Sequence, residues 1–468
     1  MANDGTAALL NPGAVDPGYR ISARLERLPV AWWHTRMRLI VGSATFFDAF
    51  DAIAIAYVLP VLIPLWRLAP AEIGAMISIG YAGQALGSLF FGWLGERIGR
   101  IPTAVITIAI FSVTSLGCAF AWSYASLLVI RFLQGFGLGG ETPVMHAYIN
   151  EFAKAQGRAR FTLVYQLPFP LGLHTAALAG WLIIPTLGWQ WMFVIGAVPA
   201  VLALWLRRLL PESPRWLASR GRFDEADQVL RGIEYEIAQR GGRALPPIPD
   251  DVPPVPRSTT RPADLFKGIY LRRTLTLWSL WFCTYLVGYG LTGWLPSIYK
   301  TQYHLSAPDA LGYSLISALV GTLGSIAVAF LIDVTGRKPW FTAALLLASV
   351  PLFLLWNAAG MAPLDVAIRV SACLVCINSV SIALGMFTAE NYPAHLRALG
   401  GGVAGAWLRI ASMIGPLLVG FLLPAAGLGA VFALFGVAAI LGGVLCHLFA
   451  IETRGKVLET LTPTAASS

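Results

Sequence analysis

Two aspartates, Asp48 and Asp51, sit three residues apart in an apolar stretch running from about residue 38 to residue 64. An ionised acid midway along a membrane helix costs about 2.5–3.5 kcal/mol on insertion scales. Residues at i and i+3 share a helix face, so the two acids also repel each other where screening is poor. The doubly ionised state is penalised twice, and groups so placed can take up and release protons. Proton coupling is the chemistry this spacing suggests; a structural salt bridge is the alternative for either acid. Arg131 and Glu141 lie in one further apolar stretch and Arg409 in another. Isolated charges are not tolerated at such depth, so these groups should face an interior aqueous cavity and pair. Asp48, Asp51, Arg131 and Glu141 are the proton-coupling candidates. Arg409 is the candidate contact for a cargo carboxylate, because a guanidinium forks onto a carboxylate with two parallel hydrogen bonds; a structural partner for Glu141 or for a backbone carbonyl is the other reading. Gln84, Gln166, His174 and Asn378 supply polar company, and Tyr57, Tyr285 and Tyr289 can stack on a ring, although in a chain with 12% aromatics most serve as packing. His146 and His174 can relay protons or stand as neutral, hydrogen-bonded histidines between helices. Three carboxylates against two guanidiniums leave one negative charge. A proton removes it, and an arriving carboxylate restores it, so cargo and proton favour each other's binding.

The elements that must position these groups follow from composition. Of 468 residues, 57% are hydrophobic and 12% charged, against about 25% charged in an average soluble domain. Apolar runs lie near 38–64, 72–94, 102–122, 126–150, 161–185 and 189–209, and again near 274–298, 309–332, 340–358, 364–389, 398–423 and 428–450. Each is long enough for a hydrocarbon core of about 30 Å. The expected fold class is an all-α integral membrane protein of twelve transmembrane helices in two six-helix bundles. The domains read as an N-terminal tail (1–37), a first bundle (38–210), a linker (211–272), a second bundle (273–450) and a C-terminal tail (451–468). Within the linker, Phe223–Gln239 reads as a charged amphipathic helix and Leu245–Pro256 as an extended proline-rich spacer. No cleavable leader shows in residues 1–36, so the first span is expected to act as its own insertion signal. Glycines at 135, 137, 139 and 140, and at 400, 401, 402 and 405, are expected to let helices approach closely.

The net charge of +9 does not point to nucleic acid. Of the 33 Lys and Arg residues, only Arg67, Lys300 and Arg369 fall in loops opposite the linker, and only Arg131 and Arg409 within spans. By the positive-inside rule both termini and the linker are cytoplasmic. The expected partners are the lipid bilayer, protons and a small organic acid, with the chain acting as a monomer. All five cysteines lie in apolar runs, and Cys373-x-x-Cys376 lacks a second ligand pair. No nucleophile–base pair, metal cluster or phosphate loop stands out, so no metal, cofactor or enzymatic activity is expected.

An internal repeat supports the two-bundle reading. Gly92-Trp-Leu-Gly-Glu96-Arg97-Ile-Gly99-Arg100 ends the second span, and a matching stretch with Asp333, Gly336, Arg337 and Lys338 ends the eighth, 237 residues later. Glu151 followed by Arg158 recurs as Glu390 followed by Arg397, at an offset of 239. Parallel halves related by an axis along the membrane normal are expected.

Over essentially its whole length the chain resembles the major facilitator superfamily. Gly92–Arg100 resembles that family's loop 2–3 signature, with Glu96 where Asp is usual. Arg131-Phe-Leu-Gln134-Gly135 resembles its fourth-span motif, and Pro211-Glu-Ser-Pro-Arg215-Trp-Leu resembles the signature after the sixth span in sugar porters, organic-ion transporters and bacterial metabolite:proton symporters. The Asp48-x-x-Asp51 pair resembles the first-span motif of aromatic acid:proton symporters and niacin-type carriers. Gly135–Pro143 resembles the fourth span of the niacin-type group, and Gly293–Tyr299 the seventh span of both. The Gln-Gln pair of hexose porters is missing from that span. The resemblance implies alternating access, with Asp51 set against Arg131 and releasing it on protonation. It also implies a gating network that holds the cytoplasmic side closed in the outward-open state, made by Gly92, Glu96, Arg97, Gly99, Arg100, Glu151 and Arg158 with Asp333, Arg337, Glu390 and Arg397. The expected function is proton-coupled import of an aromatic or heteroaromatic carboxylate across a bacterial inner membrane. A carrier of sugars or other neutral metabolites is the rival reading, and a transport-inactive membrane sensor a remoter one.

Overall fold

Helices that are apolar on every side cannot settle as amphipathic surface helices; they bury against one another or meet lipid. The structure, a computed structural model, describes residues 17–154, 158–241, 245–248, 262–329 and 331–454. In chain order the helices are α1 (Pro17–Arg27), α2 (Trp32–Trp66), α3 (Pro70–Ile98), α4 (Arg100–Ala119), α5 (Tyr124–Phe152), α6 (Arg158–Gln166), α7 (Pro168–Leu187), α8 (Gln190–Gly196) and α9 (Pro199–Leu209). There follow α10 (Pro214–Ser219), α11 (Phe223–Gly241), α12 (Ile269–Gln302), α13 (Ala307–Ala329), α14 (Leu331–Thr335), α15 (Arg337–Leu354), α16 (Pro363–Glu390) and α17 (Ala394–Phe449). Seven described stretches are long and apolar enough by themselves to cross a membrane. The remaining crossings are made by α5 and α12, which are long but less apolar, by the 18-residue α15 and by the broken pair α8/α9. The pairs α6/α7 and α8/α9 are interrupted just before Pro168 and Pro199, which lack the N–H a continuous helix needs. α17 crosses twice, turning at Gly427, whose φ of 80° and ψ of 177° end one helix and start the next. The result is the expected all-α fold of twelve crossings in two bundles.

Close contact, not apolar volume, fixes the first bundle. A Cβ added to Gly135 would lie 2.0 Å from the Gly80 carbonyl oxygen, and one on Gly139 would lie 2.1 Å from that of Gln84. Backbones of α3 and α5 therefore touch, as the glycine pattern of the fourth span predicts. The second glycine cluster behaves differently: Gly400 packs on Tyr392, while Gly401, Gly402 and Gly405 face nothing within 4 Å.

The reason lies in how the bundles meet. At the end opposite the linker, α3 and α17 cross with no side chain between them. A Cβ on Gly74 would lie 2.7 Å from the Pro416 carbonyl oxygen, and one on Gly420 would lie 2.7 Å from that of Pro70. At the linker end the described ion pairs of the crossing helices stay within one bundle or the other. The seam is thus in backbone contact at the far face, while nearer the linker face Gly401, Gly402 and Gly405 of α17 are uncovered.

On the linker face α1 docks on the linker helices. Ile21, Leu25 and Leu28 are buried, as an amphipathic helix requires. Arg24 bonds Asp227, and also Glu234 at 2.7 Å; Arg27 reaches Glu234 at 2.6 Å and Arg215 reaches Glu26 at 2.9 Å. Part of what reads as a polar N-terminal tail is thus a folded helix. The spacer expected at Leu245–Pro256 lies largely outside the described residues.

Candidate functional site

The two first-span aspartates are buried, at 5% and 0% exposure, but they do not share surroundings. Three residues turn a helix by about 300°, enough to aim each carboxyl at different neighbours. Asp48 faces α5, where Thr142 donates to its Oδ2 at 3.2 Å. Asp51 faces α4 and α8: Ser115 Oγ lies 2.9 Å from its Oδ1 and also 2.9 Å from the Phe193 carbonyl oxygen. One hydroxyl hydrogen serves only one of these acceptors at a time. Gly196 makes that approach possible, since a Cβ there would fall 1.8 Å from Asp51 Oδ1.

The expected pairing of Asp51 with Arg131 takes another form. Arg131 Nη1 donates to the Asp51 backbone oxygen at 3.1 Å and to Gln134 Oε1 at 2.6 Å, and Nη2 points at the Ala52 carbonyl oxygen at 3.5 Å. The guanidinium thus grips the α2 backbone beside Asp51 instead of its carboxylate, because its reach along α5 ends at those carbonyls. Gln134 lies beside the carboxyl, yet Asp51 Oδ2 and Gln134 Nε2 both lack a partner in hydrogen-bond geometry.

A second cluster gathers around Asp48. Glu141 is fully buried. Its Oε1 lies 3.3 Å from Thr45 Oγ1, itself 3.2 Å from the Tyr165 hydroxyl, and its Oε2 is unpartnered. From the other bundle Arg409 enters the same field, interacting electrostatically with Asp48, Tyr289 and Glu141. Its Nη1 donates to Gln84 Oε1 at 2.9 Å. An aromatic ladder leads to this point along one face of α12. Trp281 and Tyr285 stack with ring centroids 5.4 Å apart, Tyr285 and Tyr289 at 5.8 Å, and Tyr289 meets Tyr81 edge-on at 5.4 Å.

The structure therefore brings Asp48, Glu141, Arg409, Gln84 and Tyr289 into one neighbourhood where the bundles meet, with Tyr285 next along the ladder. It sets four other candidates apart. Tyr57 is buried against Gly180 between α2 and α7. Gln166 is bonded to His146 at 3.2 Å. His174 holds two backbone oxygens, Pro170 at 2.5 Å and Ala318 at 3.3 Å. Asn378 faces Gly321 on α13. Sequence reasoning missed Tyr81, Thr45, Thr142, Ser115 and Gly196. Tyr81 and Thr45 precede Gln84 and Asp48 by one helical turn, a usable signal; Ser115 and Gly196 carry none.

The linker-face groups form two matching assemblies. Arg100 reaches Glu151 and Glu96, each at 2.8 Å, and Arg337 approaches Glu390 at 3.6 Å. Each bundle adds a carboxylate at the start of its third helix. Glu212 accepts from the N–H groups of Arg100 and Ile101 at 3.1 and 3.2 Å, and Glu452 from those of Arg337 and Lys338 at 3.1 and 3.0 Å. A negative group there satisfies orphan donors and complements the helix dipole. Gly99 and Gly336, with φ of 107° and 98°, make the turns that allow it. Both acids were missed as caps, although the 240 residues between them echo the repeat. Their electrostatics differ. Burial pushes Glu212 above the usual glutamate range, against its three backbone donors. Burial acts on Glu452 in the same direction, but the N–H groups of Arg454, Arg337, Lys338 and Thr453 outweigh it and hold Glu452 below that range.

Not every gating candidate joins these assemblies. Arg97 is exposed and lies over the Trp93 ring at 4.3 Å, Arg397 donates to the Ala389 carbonyl oxygen at 2.9 Å, and Gly92 meets nothing within 4 Å. The side chains of Arg158 and Asp333 lie outside the described residues.

Residues 57–464 match the family model described as sugar (and other) transporter. The chain is 33% identical over 445 residues to the niacin transporter NiaP of Acinetobacter baylyi, covering 94% of this chain and 99% of that protein. It is 27% identical over 448 residues to the 4-hydroxybenzoate transporter PcaK of Pseudomonas putida, covering 91% and 96%. Among solved structures it resembles the crystal structure of a D-xylose–proton symporter, with a TM-score of 0.71 at 19% identity over 90% of this chain and 99% of the other. That last likeness is one of fold.

Proposed function

The chain belongs to the sugar (and other) transporter family of the major facilitator superfamily, and on that premise we propose that it imports a small aromatic or heteroaromatic carboxylate together with protons. The observation that carries this reading is that one guanidinium from the second bundle, Arg409, bonds Gln84 of the first and lies in the electrostatic field of two buried acids there, Asp48 and Glu141. The relatives named for niacin and 4-hydroxybenzoate transport support the choice of cargo. The basic linker face is the cytoplasmic one, so the described state is open to the cytoplasm and sealed at Gly74 and Gly420.

In this reading Arg409 takes the cargo carboxylate with two N–H groups, and the Tyr285–Tyr289 ladder offers a flat apolar wall for the ring. Asp51 and Glu141 each keep one carboxylate oxygen without a partner, and Asp48 takes a hydrogen bond from Thr142. A bare charge in such a place is costly, and a bound proton removes it. Protonation of Asp51 would also free Ser115 to serve Phe193 alone, loosening the tie between α2 and α4. The cargo's negative charge beside Asp48 and Glu141 favours proton binding, and the coupling is reciprocal. The frame that moves is the linker-face pair of caps and ion pairs, one set per bundle.

The test is uptake of radiolabelled niacin and 4-hydroxybenzoate into proteoliposomes, with and without an inside-alkaline pH gradient. Accumulation that requires the gradient is expected. Uptake indifferent to the gradient would remove the proton from the account. Transport of a neutral sugar that survives Arg409→Ala would replace the cargo class.

A further inference from the structure

Among the described residues, one side chain–side chain hydrogen bond joins the two bundles: Arg409 Nη1 to Gln84 Oε1, at 2.9 Å across 325 residues of sequence. Three features of this bond bear on function. Gln84 starts from a fixed point. A Cβ on Gly139 would lie 2.1 Å from the Gln84 carbonyl oxygen and 2.5 Å from its Cα, so the backbones of α3 and α5 are in contact at this residue. The amide is neutral, so it satisfies a guanidinium N–H without cancelling its charge. A carboxylate offers two charged oxygens in the parallel geometry that a guanidinium forks onto, where the amide offers one neutral oxygen. Arg409 stays cationic toward Asp48 and Glu141, and it holds an acceptor that a carboxylate can displace.

We infer that Gln84 stands in for the cargo: in the empty carrier its side-chain carbonyl occupies the acceptor position on Arg409, and a cargo carboxylate takes that position on binding. The inference rests on the reading of Arg409 as the carboxylate contact. A carrier that moves cargo with protons must return empty as well as cross loaded. With no cargo, a half-buried guanidinium without an acceptor would resist passing through the occluded midpoint, because leaving such a donor unmet carries its full desolvation cost. Gln84 meets that need in the empty carrier only. Its role is positioning, and it bears on one half of the cycle.

The two halves of the cycle separate experimentally. Net uptake into empty proteoliposomes needs the empty return; counterflow of radiolabelled niacin against unlabelled niacin inside does not. In Gln84→Ala the ratio of counterflow to net uptake should rise about tenfold, the effect of one hydrogen bond to a charged group lost from the return step. In Gln84→Glu a tethered carboxylate sits permanently on Arg409. Niacin binding should weaken at least about tenfold while the melting temperature holds or rises. Parallel loss of counterflow and net uptake in Gln84→Ala, or normal niacin affinity in Gln84→Glu, would overturn the assignment.

A ligand-free arm keeps the cargo question separate. Spin-label distances between the linker-face ends of α3 and α17 report the open population without any substrate. Gln84→Ala should shift that distribution away from closure by about fivefold in population ratio, the worth of about 1 kcal/mol, because the unmet guanidinium resists occlusion; an unchanged distribution contradicts the tie. If the wild-type protein binds neither niacin nor 4-hydroxybenzoate while this shift is seen, the cargo reading has failed and the tie between bundles stands.

Discussion

The two bundles are copies of one frame with opposite contents. Arg100 and Arg337, Glu151 and Glu390, and Glu212 and Glu452 do the same jobs at the linker face of each. At membrane depth the likeness ends. The first bundle buries Asp48, Asp51, Glu141 and Arg131. Counting by the repeat offsets of 237 and 239, the second bundle has Tyr285 in place of Asp48, Val370 in place of Arg131 and Val380 in place of Glu141. Among its described residues the one charge at that depth is Arg409. What both copies keep holds the helices in register at their ends; what they do not share is where the proposed function is placed. In that proposal the first bundle handles protons and the second presents a cation and an aromatic surface to the cargo.

The sharpest way to break this division is Arg409→Ala. It should weaken niacin binding about a hundredfold, equivalent to charge-assisted hydrogen bonds worth about 3 kcal/mol, as read by calorimetry on purified protein. Normal affinity would move the cargo contact out of the second bundle.

A smaller effect comes from filling space beside the acid. Gly196→Ala places a methyl group where Asp51 Oδ1 would be only 1.8 Å away. Overpacking of this kind costs about 1–3 kcal/mol, and the Asp51–Ser115 bond should be lost with it. In the second bundle Gly401→Ala adds a methyl group facing nothing within 4 Å, so its stability should stay within about 0.5 kcal/mol of wild type. Equal losses from the two changes would show that the packing difference is not real.

The smallest effect separates the two caps. Glu452 is held below the usual glutamate range, so its contribution is present above about pH 4.3 and fades as the pH falls through its lowered value. Glu212 is pushed above that range by burial; the stability linked to its protonation is greatest in acid and is lost as the pH rises. Glu452→Gln should therefore cost about 1 kcal/mol at pH 7, with the gap to wild type closing only below about pH 4.3. Glu212→Gln gives up one backbone acceptor but sheds a buried charge, so its cost at pH 7 should be smaller and should not shrink in acid. Thermal melts across pH read both.

Much of the fold was legible in the sequence because its signals are local. Twelve apolar runs, the asymmetry of the basic residues and the 237–239 offsets need no knowledge of contacts. The glycines of the fourth span could be read as a packing seam for the same reason. The site was legible in its ingredients but not in its pairings. Asp48 and Asp51 announce themselves by the cost of their burial, yet a spacing of three residues does not say that one carboxyl finds Thr142 and the other Ser115. Arg131 was expected on a carboxylate and sits on backbone oxygens, a choice made by the depth of α5 against α2. Ser115 and Gly196 left no trace, since a serine and a glycine in a membrane helix are ordinary until a carboxyl arrives beside them. The open glycines of α17 depend on what stands opposite them in space, which no local pattern encodes.

The division of labour is tested most directly by counting protons as cargo binds. Purified protein in weakly buffered solution, with a pH-sensitive dye, should take up protons when niacin is added. The variant with Asp48→Asn, Asp51→Asn and Glu141→Gln should still bind niacin through Arg409 while taking up none. Undiminished proton uptake in that variant would contradict the account, because the proton would then be carried by groups outside the first bundle's buried acids.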